Sequence, residues 1–287
     1  MLSLTKKIMS VRVRFAPSPT GPLHIGGLRT ALYNYLFAKR NSGSFILRIE
    51  DTDQNRKVYQ AEEYIMEALN WSGLMPDESP DHPGKFGPYR QSERKEIYNR
   101  YINKLVDKGK AYYAFDSHEA LKEVRAEYER EKKTFKYGSQ NRMGFNNSLT
   151  QSPEETEKLL ITEPFVVRLK VNPVGVVKIK DEIRGIIEIQ SEEIDDKILM
   201  KADGMPTYHF ANAVDDHLMG ITHVIRGDDH ITNTLKQINI FKSLEAEIPN
   251  YAHLPMVLSN SGKRLSKRDG AVDLLDYKKS GYLKEAL

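Results

Sequence analysis

Apolar positions along the chain fall into alternating strand and helix patterns. Val11-Arg-Val-Arg-Phe15 alternates at period two and predicts a strand. After a Pro- and Gly-rich turn, Leu28, Leu32, Tyr35 and Leu36 recur at helical spacing, and Asn41 to Gly43 supplies the stop. Ser44 to Ile49 predicts the next strand, and Ala61 to Asn70 the next helix. Strand, glycine-rich turn, helix and strand open a parallel α/β sheet, a fold that binds ligands at the carboxyl ends of its strands.

The middle of the chain departs from this pattern. Met75 to Tyr89 holds Pro76, Pro80, Pro83, Pro88, Gly84 and Gly87 and predicts a loop. A helix over Glu93 to Lys108, a strand over Ala111 to Phe115 and a highly charged helix over Glu119 to Lys133 follow. Ser152-Pro-Glu-Glu155 is a capping box with proline at the first helical position, so another short helix opens there. From Phe165 to Met200 the pattern is β, and Asp203-Gly204 marks a turn. The α/β rhythm resumes with a strand over Thr222 to Arg226 and a helix over Thr234 to Leu244. These signals predict an α/β fold of nucleotide-binding type, interrupted by an inserted α+β module over residues 93–205. Gly281 to Leu287 reads as the middle of a helix with no cap, so the natural chain is expected to continue.

Composition narrows the class of protein. Of 287 residues, 39% are hydrophobic and 29% charged, as in ordinary soluble domains. Forty-three Lys and Arg against 40 Asp and Glu give a net charge of +3, too mild by itself to indicate a nucleic-acid partner. The absence of cysteine excludes disulfides, thiolate zinc sites and a Cys nucleophile. No apolar run approaches the roughly 18 residues of a membrane span, and the start is too weakly apolar for a signal peptide. A cytoplasmic enzyme is therefore the expectation.

Two stretches carry candidate chemistry. Pro17-Ser-Pro-Thr-Gly-Pro-Leu-His-Ile-Gly-Gly27 lies between a strand and a helix, where free N–H groups and the helix dipole favour phosphate. His24 stands at that start and could donate a hydrogen bond to a phosphoryl oxygen; a purely structural turn is the equal alternative. Neither a Walker loop nor a dinucleotide fingerprint is present. Lys263-Arg-Leu-Ser-Lys-Arg268 puts four cations into six residues flanked by Gly262 and Gly270. Such a loop can neutralise charge on a leaving pyrophosphate, although basic runs are more often only solvated. Other patterns fail. Asp51 to Glu62 has calcium-loop spacing, but Arg56 replaces the required glycine, and His118-Glu119 lacks a second histidine; Lys122 to Lys136 reads first as a solvated face, with an RNA-facing surface as the alternative.

Together the two stretches resemble class I aminoacyl-tRNA synthetases. Arg48-Ile-Glu-Asp-Thr-Asp53, Gly87-Pro-Tyr-Arg-Gln-Ser92, Asp203 to Asn212 and Val214 to Gly220 look like bacterial glutamyl-tRNA synthetases, a resemblance running from Val11 to the end. Gly27 replaces the last histidine of the H-I-G-H signature, so His24 carries that motif alone. Arg264 replaces the first lysine of the second signature, with Lys267 keeping the other. The resemblance implies a Rossmann-type catalytic domain in two halves, 11–92 and 206–255. It makes 93–205 a module for the tRNA acceptor end and 256–287 the signature loop and start of a stem contact, with the anticodon-binding region absent.

The resemblance also assigns residues. Arg14, Ser18, Glu50, Tyr208, Asn212 and Arg226 would hold glutamate, with Glu50 on the ammonium and the arginines on the carboxylates. Pro17, Gly21, His24, Gly26, Gly27, Asp229, Arg264 and Lys267 would hold ATP, with His24 and Lys267 acting in catalysis; Asp229 and His230 fall where relatives touch ATP and the amino acid, and their individual roles stay open. ATP with Mg²⁺, L-glutamate and tRNA(Glu) are the implied partners, with no zinc, for a monomer. The alternatives are a short glutamyl-Q type enzyme that modifies a tRNA base, and a non-catalytic RNA-binding relative.

Overall fold

The structure is a computed structural model that describes residues 10–287 apart from 57, 173–174, 191–193, 259–261 and 263–272. The alternating start forms strand β1 (Arg12–Phe15), and β2 (Ser44–Leu47) pairs with it in parallel, Arg12 opposite Ser44. A parallel pair needs a crossover, and helix α1 (Ile25–Arg40) supplies it. Leu28, Ala31 and Ala38 of α1 pack onto Val13, Phe15, Phe45 and Leu47 beneath. Gly43 allows the return: a Cβ there would stand 2.2 Å from the Val11 carbonyl oxygen.

A second parallel pair completes the parallel α/β layer. Strands β8 (His223–Gly227) and β9 (Asn250–Leu254) run parallel, joined by helix α7 (Ile231–Leu244). The Thr222 N–H donates to the Arg12 carbonyl at 2.9 Å, which sets the two parallel pairs side by side. Helix α2 (Ala61–Trp71) contributes Ile65, Ala68 and Leu69 to the first core, and Leu274 and Leu275 of the short helix α8 (Leu274–Lys279) close it.

The strands of the 165–200 stretch divide between two sheets. β3 (Ala111–Ala114), β4 (Val166–Leu169) and β7 (Ile198–Met200) form a separate antiparallel sheet. It shares a core with α3 (Lys95–Asp107), α6 (Tyr208–Leu218) and α7, through Tyr98, Leu169, Phe210 and Phe241. The hairpin of β5 (Val176–Asp181) and β6 (Gly185–Gln190) instead extends the β8–β9 sheet, with Asp181 opposite Tyr251. Alternation in the sequence identifies strands here but not their neighbours.

The charged segment forms α4 (His118–Arg130), in which only Leu121 is buried. Ser152 caps α5 (Pro153–Thr162) by accepting from the Glu155 N–H at 3.2 Å, as the capping box predicts. The continuous helix expected over 281–287 does not form. Gly281 takes φ +81°, which ends the helical run after α8, and only a 3-10 turn over Lys284–Ala286 follows. Among the described residues no helix is long and apolar enough to cross a membrane.

Candidate active site

A cleft of about 430 Å³ opens at the carboxyl ends of β1 and β8, the place where ligands sit in open parallel sheets. Its wall contains Arg14, Pro17, Ser18, Gly21, His24, Gly26, Gly27, Glu50, Tyr208, Asn212, Arg226 and Asp229, so one cavity gathers these expected site residues, and His230 with them. Arg264 and Lys267 lie outside the described residues. Both flanks of their segment reach the cleft: Val257 lines it, and Asp273 forms a β-bridge with His24.

The turn that holds His24 differs from a bare phosphate cradle. His24 is the N-cap of α1, and its Nδ1 accepts from the N–H groups of Gly26 at 3.1 Å and Gly27 at 3.4 Å. The helix start therefore has part of its N–H set taken by the imidazole, not left open as the sequence pattern suggests. An accepting Nδ1 places the neutral ring's proton on Nε2, which makes Nε2 the hydrogen-bond donor of an exposed side chain. A Cβ at Gly27 would stand 2.4 Å from Leu23 Cδ1, so the Leu23 side chain would have to turn aside.

The floor of the cleft is an ion-pair network drawn from distant parts of the chain. Asp216 accepts from Arg14 Nε at 3.0 Å and from Arg48 Nη1 at 2.7 Å. Arg48 also donates to Glu50 at 2.9 Å, and Asn212 donates to the same Glu50 oxygen at 2.7 Å. Gln237 donates to Asn212 at 2.8 Å and fixes the orientation of its amide. Behind them Asp215 takes bonds from Arg94, Gln91 and Tyr98, matching Arg94 charge for charge. Burial opposes the Asp216 charge, but Arg14 and Arg48 outweigh it and hold this carboxyl below the usual range. Burial pushes the Glu50 carboxyl up, against the pull of Arg48.

Arg226 is different in kind. It is 5% exposed, yet among the described residues no carboxylate lies within ion-pair distance of it. Its Nε donates to His253 Nε2 at 3.2 Å, and its Nη2 to Thr234 Oγ1 at 2.8 Å and the His230 carbonyl at 3.2 Å. Its Nη1 is buried without a partner. Burial pushes this guanidinium below its ordinary value. The same environment keeps neighbouring groups neutral: burial, then Arg226, lower His230 to about 4, and burial, then Glu50, raise Tyr208 to about 12.

Charge accounting states what the floor is built for. Arg14 and Arg48 share Asp216 and Glu50, whereas among the described residues the buried Arg226 has no carboxylate within ion-pair distance. A buried unpaired charge is costly, and an anionic ligand removes that cost. Sequence reasoning did not single out Asp216, Arg48, Thr234 or His253 as parts of the site. Arg48 and Asp216 do occur inside segments that carry the family resemblance, and that was their one available signal.

These features define an α/β domain of parallel strand pairs with a cleft at their carboxyl ends that contains a buried cation lacking a carboxylate partner among the described residues. The family described as tRNA synthetases class I (E and Q), catalytic domain, matches residues 10–287, and the chain belongs to that family. It is 55% identical over 262 residues to a glutamate–tRNA ligase of Christiangramia forsetii, covering 91% of this chain and 52% of that protein. A glutamate–tRNA ligase of Flavobacterium johnsoniae is 52% identical over the same shares of each chain. A crystal structure of a glutamate tRNA ligase from Elizabethkingia meningosepticum, in complex with its amino acid, superposes with a TM-score of 0.91 at 47% identity, covering 96% of this chain and 59% of that one. The chain spans about half the length of the curated relatives it matches. The Rossmann-type α/β class expected from the sequence is borne out by this agreement.

Proposed function

We propose that the chain is the catalytic part of a glutamate–tRNA ligase, which joins L-glutamate to tRNA(Glu) through a glutamyl-adenylate. The observation that carries this reading is Arg226, a buried cation with no carboxylate partner and an orphaned Nη1, lining the same cleft as Arg14 and the buried Glu50. Glutamate has the complementary charges: two carboxylates for the guanidiniums and one ammonium for Glu50. Arg14 meets Asp216 through Nε, which leaves its terminal fork for bidentate contact with a carboxylate. Ser18, Tyr208 and Asn212 supply the polar contacts around the substrate.

In the first step the α-carboxylate attacks the α-phosphorus of ATP in line and pyrophosphate leaves. No side-chain nucleophile takes part; positioning and charge neutralisation do the catalysis. His24 offers Nε2–H to a phosphoryl oxygen, Pro17, Gly21, Gly26 and Gly27 allow close approach of the nucleotide, and Asp229 borders it. Arg264 and Lys267 would neutralise the departing pyrophosphate. Mg²⁺ accompanying ATP would supply charge neutralisation at the triphosphate. In the second step a hydroxyl of the terminal adenosine of tRNA attacks the adenylate carbonyl and AMP leaves. The 93–205 stretch, with its separate β3–β4–β7 sheet, would hold the acceptor end. The enzyme would act as a cytoplasmic monomer.

ATP–pyrophosphate exchange with glutamate and tRNA tests the reading, and the expected result is exchange that requires glutamate. Absence of exchange, together with no calorimetric binding of a non-hydrolysable glutamyl-adenylate analogue, would reduce the chain to a non-catalytic relative. Transfer to tRNA that lacks its terminal adenosine would mark a tRNA-modifying enzyme instead.

A further inference from the structure

His253 and Asp181 lie behind Arg226, and both side chains are fully buried. Asp181 Oδ2 is 2.6 Å from His253 Nδ1, and Asp181 Oδ1 accepts from the N–H groups of Ile183 at 3.0 Å and Arg184 at 2.8 Å. An aspartate so supplied with donors stays ionised, and an ionised carboxylate can only accept. The Nδ1 of His253 therefore carries a proton. On the other edge, Arg226 Nε lies 3.2 Å from His253 Nε2, and a guanidinium N–H can only donate. The Nε2 of His253 must then be a bare lone pair. The two neighbours independently fix one neutral tautomer, with Thr234 Oγ1 also 3.1 Å from Nε2.

This arrangement separates two jobs that a single carboxylate would merge. An aspartate in direct contact with Arg226 would orient it, but would also neutralise it. Here, among the described residues, every hydrogen-bond partner of the Arg226 side chain is uncharged: an imidazole nitrogen, a hydroxyl and a carbonyl. The nearest carboxylate in the chain of contacts stands one imidazole further back. Nε and Nη2 are tied down while Nη1 keeps its capacity to bond. The Arg226 guanidinium also lies 5.5 Å over the Tyr251 ring, a face that favours a cation and again leaves its charge unmatched.

We propose that Asp181 and His253 are a positioning pair that presents Arg226 as an oriented, uncompensated cation to the side-chain carboxylate of the substrate. Through it the β5–β6 hairpin contributes to amino-acid affinity and to the choice of glutamate over glutamine. Asp181 is both the partner of His253 and the residue at which β5 pairs with β9, so the hairpin is fastened at the point where it touches the relay. The inference rests on the reading of Arg226 as a carboxylate-binding residue.

Two substitutions divide the imidazole's functions. His253→Gln can keep an acceptor near the Nε2 position, whereas His253→Asn keeps a donor toward Asp181 and withdraws the acceptor from Arg226. Pyrophosphate exchange in the presence of tRNA should show the Asn variant with a glutamate KM raised about ten- to a hundredfold, the value of a hydrogen bond to a charged group. Its ATP KM should stay within about twofold, and its preference over glutamine should narrow. His253→Gln should recover most of the glutamate KM. In ¹⁵N spectra of the unsubstituted chain, His253 should show a protonated Nδ1 and a bare Nε2. Equal glutamate KM in the Asn variant and the parent, a parallel loss of ATP and glutamate binding in both variants, or a doubly protonated ring would overturn the proposal. Arg226→Ala in the same assay separates the levels. If that variant keeps glutamate affinity, the underlying reading falls and the inference with it. If it loses affinity while His253→Asn does not, the inference alone falls.

Discussion

Replacing Asp216 by Asn keeps the outline of the side chain and removes one buried charge. Asp216 takes Arg14 Nε at 3.0 Å and Arg48 Nη1 at 2.7 Å, and the three side chains are 2%, 3% and 0% exposed. An asparagine can still accept through one oxygen, but its amide nitrogen would bring two more donors against guanidinium donors. Removing one partner of a buried ion pair costs about 3–5 kcal/mol. The acceptor that Asn retains puts the expectation at the lower end, about 3 kcal/mol, a large share of the roughly 5–15 kcal/mol that holds a domain folded. Urea denaturation should show the midpoint falling with the slope unchanged. A double cycle with Arg14→Met should recover part of the loss, because the stranded cation is removed with its partner. The sign with pH follows. The folded-state value of Asp216 lies below the unfolded one, so its contribution is complete above about pH 4 and fades as pH falls through the folded value. The Asn variant should lose less stability on acidification than the parent. A loss below about 1 kcal/mol with strictly additive double-mutant energies would refute the claim that Asp216 holds the floor together.

Three further outcomes are expected. Lys267→Ala should slow pyrophosphate exchange by about two to three orders of magnitude while glutamate binding measured by calorimetry changes little, because the cation acts as charge moves onto pyrophosphate; exchange within a few-fold of the parent would remove it from catalysis. Arg14→Ala or Arg226→Ala should sharply lower glutamate activation and narrow the margin over glutamine, which competition kinetics will read; an Arg226 variant that loses neither would not line the substrate pocket. Gly43→Ala should cost about 1–3 kcal/mol in urea denaturation, since its Cβ would meet the Val11 backbone oxygen at 2.2 Å and that oxygen is already committed to the Ser44 N–H; an unchanged midpoint would mean that the α1–β2 return relaxes freely.

What was legible in the sequence depended on how local each cause is. The turn before α1 could be read because Pro, Gly and His act within a few residues, and the Ser152 cap for the same reason. Helix α6 was not marked as a helix because its polar residues Asn212, Asp215 and Asp216 are buried in the site rather than turned to solvent, so polarity there does not trace an outward face. The β5–β6 hairpin was recognisable as strand, yet its attachment to β9 depends on a partner about 70 residues away in the chain.

The site divides along the same line. Arg14 and Arg226 could be named from strand ends and family segments, but the groups that give them meaning could not. Arg14 and Asp216 are 202 positions apart, and His253 and Asp181 are 72 apart. A near-neutral total charge also conceals the decisive quantity. The net +3 is spread over the whole chain, whereas the cleft holds a local excess of positive charge at Arg226, which has no carboxylate within ion-pair distance among the described residues. That local excess exists because folding pairs Arg14 and Arg48 with Asp216 and Glu50 while giving Arg226 only neutral neighbours. On the proposed reading, selectivity for an anion would be set by which cation the fold leaves unmatched, a property of pairing that composition cannot carry.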